Sequence, residues 1–374
     1  MKFKSLIIIA AVLVLLPFAA HSETAKEYID AGITKAQAGD LNGAIDDFTK
    51  AIEKDPDSAR AYYSRGLTKS GMGDLKGALA DYNKSIELNR ESAIAFNNRG
   101  NVKDDMGDSE GAIEDYDKAI ELSPDFAMAY NNRGTAKSDL GDTKGALADY
   151  NKAIELNPKF AMAYNNRGNL KSARGDSKGA LLDFNKALEL NPNFIIAYFN
   201  RANVKDNMGD YEGALKDYSK AIELNPKYLD AYNNRGNVKG KSKDNEGALE
   251  DFNKAIELNP NSPMAYYNRG LTYYKLDRFE EAIKNYTKAI ELNPRFEQAY
   301  DSRGTSKALL KDYNGALSDY TRAIDLNPGN AKAYYGSGYA KILLEKTDSG
   351  CADLKKSEDM GYSKAEELLK QHCN

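Results

Sequence analysis

The sequence predicts an all-α fold: an α-solenoid of antiparallel helix pairs closed by a C-terminal capping helix. Three observations carry that expectation. The first is a strict period of 34 residues. Eight of the ten prolines, Pro56, Pro124, Pro158, Pro192, Pro226, Pro260, Pro294 and Pro328, lie on one series of that spacing. A period of this length means stacked units that touch only their neighbours, not compact separate domains. The second is that each period carries two stretches with apolar residues at helical spacing. The third is punctuation: Gly-Asp between the stretches and Asn-Pro after the second, as at Gly141-Asp142 and Asn157-Pro158. Ten units cover residues 25–58, 59–92, 93–126, 127–160, 161–194, 195–228, 229–262, 263–296, 297–330 and 331–364. Positions below are counted from the first residue of each unit.

The segment before the units reads as an export signal. Residues 1–22 have a basic head (Lys2, Lys4), an apolar run from Leu6 to Phe18, and small residues Ala20 and Ser22 before a cut ahead of Glu23. The run is shorter than the roughly 20 residues that span a bilayer, and no Cys follows it for lipid attachment. The expected product is periplasmic or secreted, not a lipoprotein, and has no membrane span. Composition narrows the function further. Two His, two Cys and no Trp leave little for histidine acid–base chemistry or for a metal site. No cofactor, metal or catalytic residue is expected. The net charge of −4 argues against nucleic acid as a partner.

Residues 127–160 show how one unit builds its helices. Tyr130, Gly134 and Lys137 share a helical face that stops at Gly141, a residue suited to a left-handed end. Asp142 can cap the next helix by accepting backbone N–H groups. Ala146, Leu147, Tyr150, Ala153 and Ile154 form its apolar stripe, and Pro158 cannot continue it. Aromatic residues recur at position 4 (Tyr130, Tyr164, Tyr198) and position 24 (Tyr150, Phe184, Tyr218). With small residues between them, both sets read as core.

The pattern Y-x2-R-G-x2-K…A-x3-Y…P, at Tyr130, Arg133, Gly134, Lys137, Ala146, Tyr150 and Pro158, resembles the tetratricopeptide repeat. The resemblance spans nearly the whole chain after residue 22. It implies a right-handed superhelix whose first helices line a concave groove. It also implies a non-catalytic scaffold or adaptor that binds a protein or peptide partner. The chain departs from the family pattern by placing Arg at position 7 in units two to nine and Lys at position 11 in most of them. Asp recurs at position 23, as at Asp115, Asp149 and Asp183. Two readings stand: each Arg pairs with such an Asp inside the packing, or its stem covers apolar neighbours at the surface.

Position 6 presents Asn in six consecutive units, Asn98, Asn132, Asn166, Asn200, Asn234 and Asn268. This is similar to the asparagine ladder of the O-GlcNAc transferase superhelix, and that likeness implies amides gripping the backbone of an extended peptide. One carboxamide can both donate and accept. Helices about 10 Å apart and chain extending about 3.4 Å per residue give roughly three peptide residues per unit. Asn97, Asn131, Asn165 and Asn233 at position 5 and Asn101, Asn169, Asn203 and Asn237 at position 9 add further amides, and Tyr267 and Tyr274 an aromatic spot. Near-identical units also repeat residues simply by being copies. The family's carboxylate clamp is missing, since position 5 is never Lys and position 6 never Arg. Gly236, Gly240, Lys241 and Ser242 miss the phosphate-loop spacing by one residue. The alternative function is a structural spacer or assembly component of the cell envelope that uses its convex face or ends.

At the C-terminus, Cys351 and Cys373 lie eleven residues either side of Tyr362. Two antiparallel helices turning there would bring them side by side, and in an oxidising compartment they would form a disulfide that staples the cap. Free thiols or a redox pair are the other options. The capping helix is expected over 363–373 with Leu368 and Leu369 inward.

Overall fold

A computed structural model describes residues 23–373; the export signal expected at 1–22 lies outside them. The chain divides into two compact units at Pro192/Asn193. The first holds five helix pairs: α1 (Glu23–Gln37) and α2 (Leu41–Lys54), α3 (Ala59–Met72) and α4 (Leu75–Leu88), α5 (Ala93–Asp105) and α6 (Ser109–Leu122), α7 (Ala127–Asp139) and α8 (Thr143–Leu156), α9 (Ala161–Ala173) and α10 (Ser177–Leu190). The second holds α11 (Ile195–Asn207) and α12 (Tyr211–Leu224), α13 (Leu229–Lys241) and α14 (Asn245–Leu258), α15 (Pro263–Lys275) and α16 (Phe279–Leu292), α17 (Glu297–Leu309) and α18 (Tyr313–Leu326), α19 (Ala331–Leu343) and α20 (Thr347–Asp359), then α21 (Lys364–His372). The described residues form no strand.

The caps are those the repeat sequence requires. Asp142 Oδ1 accepts from the Gly145 N–H at 2.9 Å and starts α8, which ends at Leu156 just before Asn157-Pro158. Between the helices of a pair the backbone turns left-handed at position 15. Gly holds that place from Gly39 to Gly209, as Gly141 does with φ 84°, but Lys243, Asp277, Lys311 and Glu345 adopt the same turn with φ between 56° and 66°. A side chain there is strained. Replacing Lys243 or Lys311 with Gly is therefore expected to stabilise the second unit by about 0.5–1 kcal/mol each, after the added freedom of the unfolded chain is subtracted. An unchanged or lower denaturation midpoint would count against the strain.

The aromatics at position 24 are the core. Phe48, Tyr82, Tyr116, Tyr150, Phe184, Tyr218, Phe252, Tyr286 and Tyr320 are all at most 4% exposed. They lie so close to the first helices that a Cβ on Gly134 would sit 2.9 Å from Tyr150 Cε1. The position 4 aromatics depart from the expectation. All but Tyr232 are half-buried, and in units two to nine an Arg guanidinium lies over the ring, as Arg133 sits 5.4 Å from the Tyr130 ring centre.

Within each unit, successive first helices (α1, α3, α5 and so on) touch one another. Successive second helices do not, among the described residues. The pairs therefore lean together on the first-helix side, which makes that side the concave face of each unit. At the C-terminus α21 packs on α19 and α20. Ala365 is its buried residue, while Leu368 and Leu369 are only half-buried, since the cap packs on a single helix pair. Cys351 of α20 and Cys373 form a disulfide with Cα atoms 5.7 Å apart.

Candidate functional site

The concave face is held in place from behind by a ladder of ion pairs. Arg133 of α7 forks onto Asp149 of α8, with Nε–Oδ2 at 2.9 Å and Nη2–Oδ1 at 2.6 Å; Lys137 reaches Asp149 Oδ2 at 2.8 Å. The third guanidinium nitrogen, Nη1, donates to Asp117 Oδ1 of α6 at 2.6 Å. One side chain thus ties its own second helix and the preceding one to its first helix. Burial opposes the Arg133 charge, but the hydrogen bonds to Asp149 and Asp117 outweigh it and raise the pKa. The same fork recurs at Arg65–Asp81, Arg99–Asp115, Arg167–Asp183, Arg201–Asp217, Arg235–Asp251 and Arg303–Asp319. Of the two sequence readings, Arg paired with its own unit's Asp is the correct one.

Unit eight provides an internal control. Its position 23 is Asn285, which accepts from Arg269 Nε at 2.8 Å, and its position 11 is Tyr273 in place of Lys. Without the buried carboxylate, a second cation would have no counter-charge. The two positions change together.

In front of this ladder lies an amide network. In the first unit Asn132 Nδ2 donates to Asn97 Oδ1 at 3.1 Å and to Asn101 Oδ1 at 3.0 Å, and Asn131 donates to Asn132 Oδ1 at 3.2 Å. Asn166 donates to Asn131 and Asn165 to Asn166, so the chain of amides runs from α5 to α9. At its other end Asn97 donates to Asn98, and Asn98 donates to the Tyr63 hydroxyl at 2.9 Å. Position 5 supplies the buried members: Asn97, Asn131 and Asn165 are at most 4% exposed. Position 6 supplies the half-buried ones. Asn98 and Asn132 each use their amide N–H groups on two partners, Tyr63 and Tyr82 for Asn98, whereas Asn166 keeps one N–H and one oxygen lone pair. Asn169 is exposed.

Tyrosine hydroxyls buttress the network. Tyr116 donates to Asn101 Oδ1 at 2.8 Å. Burial first, then the nearby charges of Asp104 and Asp105, push the Tyr116 pKa up, so the proton stays on the donor. In the second unit Tyr218 and Asn234 both donate to Asn203 Oδ1. Asn200 also has a partner. The network stops at Asn233, whose buried Oδ1 has no partner among the described residues. In the next repeat position 6 is still an amide, the half-buried Asn268, but position 5 is the aromatic Tyr267, whose ring packs against Tyr286 at 5.7 Å and Phe296 at 4.8 Å. Tyr267 is thus partly a packing residue. Tyr274 lies half-buried with its ring 5.6 Å from Phe279.

Sequence reasoning placed the amides of positions 5 and 6 on this face but missed that position 5 is buried and bonded to position 6, a link that only adjacent-helix geometry reveals. It also missed Lys275, which enters the same concavity as Asn237, Lys241 and Asp206. Gly236 to Lys241 lie inside α13, so that segment is helix rather than phosphate loop. Among the described residues no three His, Cys, Asp or Glu side chains cluster as metal ligands, and no helix is long and apolar enough to cross a membrane.

Comparison with known proteins fits this architecture. Sequence models of the tetratricopeptide repeat match residues 59–92, 93–126, 127–160, 161–194, 195–228 and 263–296, and a related TPR repeat model matches 34–73 and 241–277. The chain belongs to the tetratricopeptide repeat family, whose members bind protein partners and are generally non-catalytic scaffolds. Among solved structures, a tetratricopeptide repeat protein from Parabacteroides merdae is 24% identical with a TM-score of 0.54, over 67% of this chain and 99% of its own. YrrB, described as a TPR protein with an unusual peptide-binding site, is 30% identical over 49% of this chain and 95% of its own, with a TM-score of 0.40. Yeast Tom70 is 18% identical over 92% and 93%, with a TM-score of 0.46. No curated protein matches the sequence.

Proposed function

We propose that the chain is a scaffold that holds an extended polypeptide segment along the concave face of its first helices. The observation that carries this reading is the amide floor. Asn166 retains an N–H and a lone pair on that face, the combination that pairs with a peptide C=O and N–H. Its neighbours' hydrogen bonds fix the amide orientation in advance, which lowers the cost of ordering on binding. The test uses an immobilised array of random 12-residue peptides. Changing Asn166 to Ala should reduce array binding about tenfold while the helical circular dichroism and midpoint stay near wild type. Unchanged binding would refute the groove.

We infer further that the protein acts outside the cytoplasm. The segment 1–22 and the Cys351–Cys373 disulfide both support this. Protein purified from its native cells should begin at Glu23; an N-terminus at Met1 would reject export by cleavage.

A further inference from the structure

On the concave face of the second unit, Asn203 and Asp206 of α11, Asn234, Asn237 and Lys241 of α13, and Lys275 of α15 line a concavity of about 400 Å³. Its charge differs from that of the equivalent places elsewhere. Position 13 is Asp105 and Asp139 in units three and four, then Lys241 and Lys275 in units seven and eight, then Leu309 and Leu343. Because the repeat holds the backbone constant, this change of sign belongs to the side chains alone.

The two lysines are not equivalent. Lys241 Nζ is held by both oxygens of Asp206, at 2.7 and 2.8 Å, and lies 5.9 Å from the Tyr211 ring centre. Lys275 Nζ touches only the Gly240 carbonyl, at 3.5 Å, and no carboxylate lies within ion-pair distance of it among the described residues. Gly240 leaves this space open: a Cβ there would have Lys275 Nζ as its nearest neighbour, at 3.8 Å. Asn234 is used on Asn203 and on the Tyr218 side chain, which leaves Asn237 as the amide facing the concavity. The concavity thus offers one uncompensated cation, a second cation already balanced, and amide donors beside them.

From this geometry we propose that the concavity seats a carboxylate side chain, Asp or Glu, of the extended segment bound along the first helices. Lys275 supplies the counter-charge, and Asn237 supplies N–H donors to the carboxylate oxygens. Asp206 keeps Lys241 from competing for the incoming group, so a single carboxylate neutralises the site. The residues and positions are not those of the family's carboxylate clamp. The inference rests on the groove reading and narrows it, since it gives the occupant a negative charge at one place.

The same random 12-residue peptide array tests it. Wild-type protein should favour peptides containing Asp or Glu over otherwise similar peptides by about two- to fivefold at low salt, the size expected of a half-exposed ion pair, and the preference should fade as salt rises. Lys275→Gln should abolish that preference, and Asp206→Asn, which releases Lys241, should increase it. An acid preference equal in wild type and Lys275→Gln overturns the proposal, as does wild-type binding with no acid preference. Peptides with an amidated C-terminus separate the sources: a preference lost on amidation would assign the site to chain ends and reject the side-chain assignment. If wild type binds no peptide at all, the groove reading itself fails.

Discussion

Changing Asp149 to Ala is expected to destabilise the first unit by about 3–5 kcal/mol, the largest effect of any single substitution considered. Asp149 is 4% exposed and takes hydrogen bonds from both Arg133 and Lys137. Its loss leaves a guanidinium facing a cavity, with its stem fixed between α6, α7 and α8. Lys137 can swing towards solvent, but Arg133 is also held by Asp117 and its movement is constrained. The check is a compensating variant. Arg133→Met, Lys137→Met and Asp149→Leu together remove every charge of the cluster and should recover at least half of the loss, because a buried ion pair is worth much less against apolar replacement than against truncation. Lys152→Ala, which removes an exposed pair with Glu155, is the control and should leave the denaturation midpoint in place. Equal effects from Asp149→Ala and Lys152→Ala would refute a structural ladder.

The second large effect belongs to the C-terminal staple. The disulfide closes a loop with a sequence separation of 22, which corresponds to about 3 kcal/mol of lost freedom in the unfolded chain. Changing Cys373 to Ser should therefore release α21 and lower the protection of its amides from hydrogen exchange by about two orders of magnitude. The amides of α1 to α10 should be unaffected, because a terminal helix in a stacked array contacts only its neighbours. Unchanged exchange in α21 would show that Ala365 and the contact between the Tyr335 and Tyr362 rings, 5.1 Å apart, hold the cap alone.

Much of this fold was legible in the sequence because the information is periodic. Gly141, Asp142, Asn157 and Pro158 mark helix ends by local chemistry alone, and repetition multiplied each signal. The division of the aromatics was less legible. Tyr130 and Tyr150 look alike in a pattern, yet one carries Arg133 on its outer face and the other fills the core. That difference depends on where the second helix lies. The Arg–Asp fork could be proposed but not chosen, because two positions sixteen residues apart meet only once the pair has folded. The amides at positions 5 and 6 were both found as groove residues, while the hydrogen bonds that join them were not. Both facts concern contact between different repeats, and a repeating sequence gives no direct sign of which neighbour a side chain faces.

The guanidinium bridge has one more consequence, for chain length. Arg133 reaches back to Asp117 at position 25 of the preceding repeat; Arg65, Arg99, Arg167 and Arg235 make the same reach to Thr49, Asn83, Asn151 and Ser219. All of these residues offer an oxygen in the same place, so they are interchangeable as acceptors. If residues 127–160 were excised, Arg167 would meet Asp117, and Asn166 would meet Asn97 and Asn101, as Arg133 and Asn132 do now. The junctions inside each compact unit are in this sense a common coupling, and the number of repeats there can change by whole steps while these joints stay closed.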